Sequence, residues 1–335
     1  MKYQILGLLL ILGVVLSASI KVNNDITVGG LSSGAFMAAQ MHVIHSATIR
    51  GASIFAGGPY YCAKGELEQS LTSCMSTGEG VNITTLENTI EDYFLNGQID
   101  SPTNLNNSKA FIFSGTEDQV VNPKVVRYTE NLYEDYFVET KHVYDFSAGH
   151  TMPTKNYGVN CTQTQSPFIG NCDYNGAFES LNFLFSDKLT ESGTEAKKSN
   201  IFSVAQKTSG TVMGSEAFIY VPEACQNEDS DCSMHVVFHG CLQTIDDIEM
   251  QFVENTGYND VAEANNLVIL YPQATKDSTV NPLGCWDWWG YTGANYATND
   301  GKQISEIYRL IDGLKNGTIE VTPVYKAEGV SKATE

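Results

Sequence analysis

Beyond residue 16 this 335-residue chain has no apolar run long enough to cross a bilayer, which takes about 20 residues. It is also short of positive charge: 19 lysines and arginines stand against 39 aspartates and glutamates, a net charge of −20. That balance argues against nucleic acid, whose phosphates such a surface repels, and fits a soluble protein with neutral or apolar partners. No C-x-x-C or H-E-x-x-H pattern occurs, so no metal is expected. Internal repeats and low-complexity segments are missing as well, which excludes solenoids and repeat arrays.

The first 18 residues hold a lysine, an apolar core from Ile5 to Leu16, and then small residues. They read as a secretory signal peptide cut near Ala18 or Ser19, so the mature protein is expected to be extracellular, with no membrane contact, and a monomer. Export suits the eight cysteines, Cys62, Cys74, Cys161, Cys172, Cys225, Cys232, Cys241 and Cys285, as disulfides in an oxidising compartment. Eight cysteines allow about 105 connectivities. Short loops favour Cys62–Cys74, Cys161–Cys172 and Cys225–Cys232, which leaves Cys241–Cys285.

The order of elements predicts an open, mostly parallel α/β sheet. A short β-rich run, Ile26-Thr27-Val28, ends in a glycine pair and leads to the buried-helix pattern "GAFMAAQMHVI". Strand "RGASIF", a helix around Leu86 to Leu95, strand Ala110–Ser114, helix "KVVRYTENLYEDYF" and strand "KHVYDF" follow. Residues 190–215 turn polar and weakly patterned, and read as a connector. Strands "EAFIYVP" and "MHVVFHG", a helix from Glu249 to Asn265, and strand "NLVILYPQ" complete the pattern. The whole is one catalytic domain over 19–320, with a tail over 321–335.

Gly30-Leu31-Ser32-Ser33-Gly34 matches the G-x-S-x-G nucleophile pattern, between a predicted strand and a predicted helix. A sharp turn there exposes the serine, and flanking glycines avoid clashes. The plainer alternative is a small-residue helix start with Ser32 as its N-cap. A serine needs a base and an acid to orient that base. His150 in "SAGHTMPT" and Asp118 in "GTEDQVV" lie on loops after later strands, giving the order Ser32, Asp118, His150; Glu117 competes weakly with Asp118. His42 and His45 fall within the elbow helix, and His142 and His235 at strand starts, away from catalytic strand ends.

The oxyanion of an acyl-transfer reaction takes one donor from the N–H after the nucleophile, Ser33, and a second from an HG-type turn. That turn is "VVFHGCLQT", with Cys241 as donor, and it comes some two hundred residues after Ser32. A circular permutation of the α/β-hydrolase fold accounts for the inversion: the elbow half first, the oxyanion half second, across the connector. All three tryptophans fall within "GCWDWWGYTG"; a Cys241–Cys285 bond tethers them beside the oxyanion loop, a suitable platform for an apolar substrate.

Taken together, "GLSSGAFMAAQ", "SGTEDQVVNP", "AGHTMPT", "VVFHGCLQ" and "NPLGCWDWWGY" resemble the extracellular polyhydroxybutyrate depolymerase family, in its circularly permuted, single-domain form. The resemblance implies the triad Ser32, Asp118 and His150, the Ser33 and Cys241 amides as oxyanion hole, and substrate contacts from Trp289, with Trp288, Trp286 and His239 beside it. It implies cofactor-free hydrolysis of poly(3-hydroxybutyrate) or soluble oligomers as the partner polyester. An esterase for feruloyl or acetyl groups of plant polysaccharide, or a non-catalytic polymer-binding protein, are the competing readings.

Overall fold

The computed structural model describes residues 18–191, 193–227 and 229–325. Residues 1–17 of the expected signal peptide (1–18), and the tail after residue 325, lie outside them. Among the described residues no helix is long and apolar enough to cross a membrane.

The strands are β1 (Ala18–Ser19), β2 (Ile26–Leu31), β3 (Ile49–Phe55), β4 (Lys109–Phe113), β5 (Glu139–Val143), β6 (Met152–Thr154), β7 (Val159–Asn160), β8 (Ile169–Asn171), β9 (Ile201–Ala205), β10 (Glu216–Tyr220), β11 (Ser233–Phe238), β12 (Leu267–Tyr271) and β13 (Glu320–Pro323). The helices are α1 (Ser33–Ile44), α2 (Leu67–Leu71), α3 (Ile83–Leu95), α4 (Pro123–Asp135), α5 (Gly176–Leu184), α6 (Ile245–Ile248), α7 (Gln251–Asn255), α8 (Tyr258–Asn265) and α9 (Lys302–Lys315).

Ten strands form one sheet in the order β1-β13-β9-β10-β12-β11-β2-β3-β4-β5, and β6-β8-β7 form a small second sheet. From β12 to β5 every pairing is parallel. From β12 outward to β1 every pairing is antiparallel. Started at β9, the eight strands to β5 follow the spatial order 1-2-4-3-5-6-7-8. This is an α/β-hydrolase sheet whose second half comes first in the chain. β2 reaches the middle of the sheet by pairing with β11, more than two hundred residues later.

The central strands are buried on both faces, as parallel strands under helices must be. Along β4, Ala110 and Ile112 enter one core cluster while Phe111 and Phe113 enter the other. Helix α1 is buried at all twelve positions, in keeping with a sequence apolar on every side.

Three expectations change. The stretch 190–215 is no mere connector: Ile201–Ala205 forms β9, paired with β10 on one side and β13 on the other. Five residues between polar flanks were too few to show a pattern. The tail boundary at 320 moves too, because Glu320–Pro323 forms β13. The helix expected from Glu249 to Asn265 is broken into α7 and α8, with positive φ at Glu249 and at Gly257. The four disulfides join Cys62–Cys74, Cys161–Cys172, Cys225–Cys232 and Cys241–Cys285, as the spacing suggested.

Four buried histidines bear on stability. Desolvation lowers His42 and His235 to about 3, and His45 and His239 to about 4. Their unfolded values lie near 6.5, so below that pH the unfolded chain binds more protons than the native one. Stability is therefore intact above this range and falls with pH through it, by about 1.4 kcal/mol per pH unit for each histidine. Burial raises Asp260 and Asp287, which act in the opposite sense but only nearer the carboxylate range. Thermal midpoints should drop steadily from pH 6.5 to 4.5. A flat profile would mean that these imidazoles protonate in the native state.

Candidate active site

Ser32 sits between β2 and α1 with φ 58° and ψ −122°, a left-handed backbone that costs a non-glycine residue about 1–3 kcal/mol. Contacts on both sides enforce the turn. A Cβ on Gly30 would lie 2.5 Å from the Gly34 carbonyl and 2.6 Å from Phe238 O. One on Gly34 would lie 2.2 Å from Phe238 O and 2.5 Å from His239 O. The glycines thus let the turn press against the end of β11. Ser32 caps nothing with its side chain, which removes the N-cap alternative. The hydroxyl is free for chemistry.

The loop after β4 carries Asp118, and the loop after β5 carries His150. Backbone bonds join the two loops, Thr116 N–H to Phe146 O at 2.9 Å and Glu117 N–H to Ala148 O at 3.0 Å. His150 Nδ1 lies 2.8 Å from Asp118 Oδ2, both side chains buried. Asp118 Oδ1 accepts from Val120 N at 2.8 Å and Val121 N at 3.0 Å. The carboxylate is thereby fixed in direction and holds the imidazole with its proton on Nδ1. Glu117 points to solvent and drops out. The loop after β7 supports the histidine: Gly149 N–H donates to Cys161 O, and His150 N–H to Thr164 Oγ1.

The turn after β11 abuts Ser32, since a Cβ on Gly240 would stand 3.4 Å from the Ser32 Cβ. Among the described residues, neither the Ser33 nor the Cys241 N–H donates to another backbone oxygen. Two unspent amides beside a free hydroxyl are what a developing oxyanion requires. His239 does not reach substrate as expected. It is buried, its Nδ1–H donates to Gly240 O at 2.7 Å, and its Nε2 accepts from Ala274 N–H at 3.2 Å. Burial keeps it neutral, and its role is to pin the turn.

The aromatic loop packs against the elbow helix. Trp286 N–H donates to Ser33 Oγ at 3.3 Å, and Gln40 Nε2 to Asp287 O at 3.0 Å. Trp286 is fully buried against Phe238 and His239, so it supports the turn and forms no open platform. Trp288 is also buried, stacked on Phe36 with centroids 3.9 Å apart. Trp289 alone of the three stays half-buried, packed edge-on against Trp288 and beside Tyr291.

No family model matches the chain. A poly(3-hydroxybutyrate) depolymerase of Delftia acidovorans is 39% identical over 303 residues, 89% of this chain. The chain spans 61% of that relative's length. A polyhydroxybutyrate depolymerase of Talaromyces funiculosus is 36% identical over 312 residues, 88% of this chain and 90% of the relative. The chain belongs to the polyhydroxybutyrate depolymerase family. Two solved structures extend the likeness. The PHB depolymerase from Penicillium funiculosum superposes with a TM-score of 0.81 at 34% identity, covering 90% of this chain and 98% of that one. A serine-to-alanine PHB depolymerase complexed with an R3HB trimer gives 0.80 at 33% identity, with the same coverage.

At this candidate site one residue escaped the sequence reading. Gln243 accepts from Gly240 N–H at 2.7 Å and donates to Pro167 O at 2.8 Å, clamping the turn after β11 to the loop beside His150. Its place two residues after Cys241 was visible, but its partner lies 76 residues away. His142 lies near the end of β5, not its start, and its Nδ1 is 2.6 Å from Glu130 Oε1, which engages it away from the Asp118–His150 pair.

Proposed function

We propose that the chain is a secreted serine esterase that cleaves poly(3-hydroxybutyrate) or its oligomers through an acyl-enzyme. One observation carries this reading: a strained, uncapped Ser32 beside two unspent amides, at the carboxyl end of the parallel strands, the same end from which the Asp118 and His150 loops leave β4 and β5. Ser32 Oγ attacks the ester carbonyl while His150 Nε2 takes its proton, and Asp118 stabilises the imidazolium. The Ser33 and Cys241 N–H groups hold the oxyanion, a contribution of about 10²–10³-fold in rate per donor. Collapse breaks the ester C–O bond, and His150 gives its proton to the departing alkoxide, which leaves as an alcohol. A water activated by His150 then releases the acid and restores Ser32.

The polyester substrate is supported by the names of the relatives and by the R3HB trimer bound to a structural neighbour. Four disulfides and the apolar leader support an extracellular setting. Product analysis tests the substrate: 3-hydroxybutyrate oligomers should be released from film and from soluble trimer, with feruloyl and acetyl esters turned over far more slowly. The reverse preference overturns the polyester reading.

Adsorption to solid polymer falls to apolar side chains around the aromatic loop. Val280 and Leu283 are exposed at 41% and 48%, and Leu283 O accepts from Leu242 N–H next to Cys241. Leu67 and Leu71, exposed at 56% and 53%, lie on α2 just after Gly65, whose Cα would be 3.2 Å from a Cβ on Gly290. Leu71→Glu with Leu283→Glu should weaken film binding about tenfold or more, by charging surface that must be dried. Turnover of a soluble ester should change by less than twofold, roughly the scale of an exposed substitution. Pull-down on polymer granules, with soluble-ester kinetics alongside, measures both.

A further inference from the structure

The turn after β11 is held between two loops from distant parts of the chain. On one flank Cys241 is bonded to Cys285, and Leu242 N–H donates to Leu283 O at 2.8 Å. On the other flank stands the side chain of Gln243, 1% exposed. Its Oε1 accepts from Gly240 N–H at 2.7 Å, and its Nε2 donates to Pro167 O at 2.8 Å and Phe168 O at 3.3 Å. Phe168 O also accepts from the N–H of Met152, two residues after His150, at 2.9 Å. The same loop, closed by the Cys161–Cys172 disulfide, meets His150 N–H through Thr164 Oγ1 at 2.9 Å. One buried amide therefore joins Gly240 to the segment that carries His150.

Gly240 is gripped at both of its backbone polar atoms, the N–H by Gln243 and the carbonyl by His239 Nδ1–H at 2.7 Å. That carbonyl and the Cys241 N–H belong to one planar, trans peptide, so fixing the oxygen points the N–H the opposite way. Ser32 is close by: a Cβ on Gly240 would stand 3.4 Å from its Cβ and 3.3 Å from Leu31 O. The disulfide fixes the turn against the 283–285 loop but leaves its distance from His150 free, and Gln243 spans that distance. A neutral amide suits the link, since it offers an acceptor and donors on one rigid plane. A buried carboxylate would instead face two carbonyl oxygens with no proton to give.

We propose that Gln243 is a positioning residue of the reaction, setting the Cys241 N–H at a fixed distance and direction from His150. This rests on the serine-esterase reading given above, in which that N–H holds the oxyanion and His150 moves the proton. Gln243→Met is close in volume and lacks both hydrogen bonds. It should lower kcat on p-nitrophenyl butyrate about thirtyfold, less than the 10²–10³-fold of losing an oxyanion donor outright. KM should stay within about twofold, because the weakened contact serves the transition state and not the bound ester. Turnover is counted per active site titrated with a fluorophosphonate, so misfolded chains do not enter it.

Gln243→Asn keeps a buried amide but is one methylene too short to span both partners. It should lose about tenfold in kcat, and it carries the test if the methionine variant fails to fold. Thr164→Val removes the acceptor of His150 N–H and should lower kcat about threefold. Combined with Gln243→Met, its loss should fall well short of the product of the two, since both changes loosen one loop.

A kcat per site within about twofold of native, beside a lower melting temperature, overturns the proposal by reducing Gln243 to a support of the fold. A loss confined to KM overturns it too. So does a fully multiplicative double variant, which would separate Gln243 from the histidine loop. Ser32→Ala at native turnover sinks the serine reading and this inference together. An inactive Ser32→Ala beside an unchanged Gln243→Met sinks this inference alone.

Discussion

Ser32→Ala should lower kcat on any ester by on the order of 10⁶-fold while leaving the fold and adsorption to polymer intact. The size follows from the mechanism: without Oγ no acyl-enzyme forms, and what remains is water attack helped by the oxyanion amides and binding. The fold should survive because the strained turn is imposed by backbone contacts, not by the hydroxyl. Gly30 and Gly34 meet the backbone of residues 34, 238 and 239, Ser32 N–H donates to Phe55 O at 2.9 Å, and the side chain makes no cap bond. Alanine meets the same φ of 58° at similar cost. Stopped assays on p-nitrophenyl esters and on trimer, with granule pull-down and a thermal melt, check all three parts. Residual hydrolysis above about one part in a thousand, well outside the expected loss, would sink the triad assignment.

Local features were the legible ones. The elbow is written in five residues, because close approach at Gly30 and Gly34 is a local demand. Three disulfides close loops of 7 to 12 residues, so proximity in sequence found them. The permuted order was also readable, since the HG turn and the elbow each carry their own motif whichever comes first. Burial of the tryptophans was not. Whether Trp288 faces solvent or Phe36 depends on a contact between residues 252 positions apart, and composition is silent on that. The same holds for His239, whose sequence neighbours suggest a cleft but whose ring is held by Gly240 and Ala274. β9 was hidden for a third reason: its edges are polar, and its partners β10 and β13 come later in the chain.

Asp118→Asn should reduce kcat by about 10⁴-fold although it preserves volume, because it enforces the wrong histidine tautomer. The direction follows from the bonds at the other oxygen. Val120 and Val121 N–H both donate to Oδ1, so an asparagine must put its carbonyl oxygen there. Its amide NH₂ then occupies the Oδ2 position, 2.8 Å from His150 Nδ1. A donor facing Nδ1 turns that nitrogen into an acceptor and moves the ring proton to Nε2, the atom that must take the proton of Ser32. The base is blocked while packing is unchanged. Asp118→Ala leaves Nδ1 unopposed and the tautomer free, so it should be no worse than the isosteric change despite its cavity. Glu117→Gln, on an exposed side chain of the same loop, should alter kcat by less than about twofold. Reactivity of Ser32 toward phenylmethylsulfonyl fluoride should follow the same ranking as ester turnover. A variant ranking in which alanine is far worse than asparagine would point to packing, not proton placement, as the contribution of Asp118.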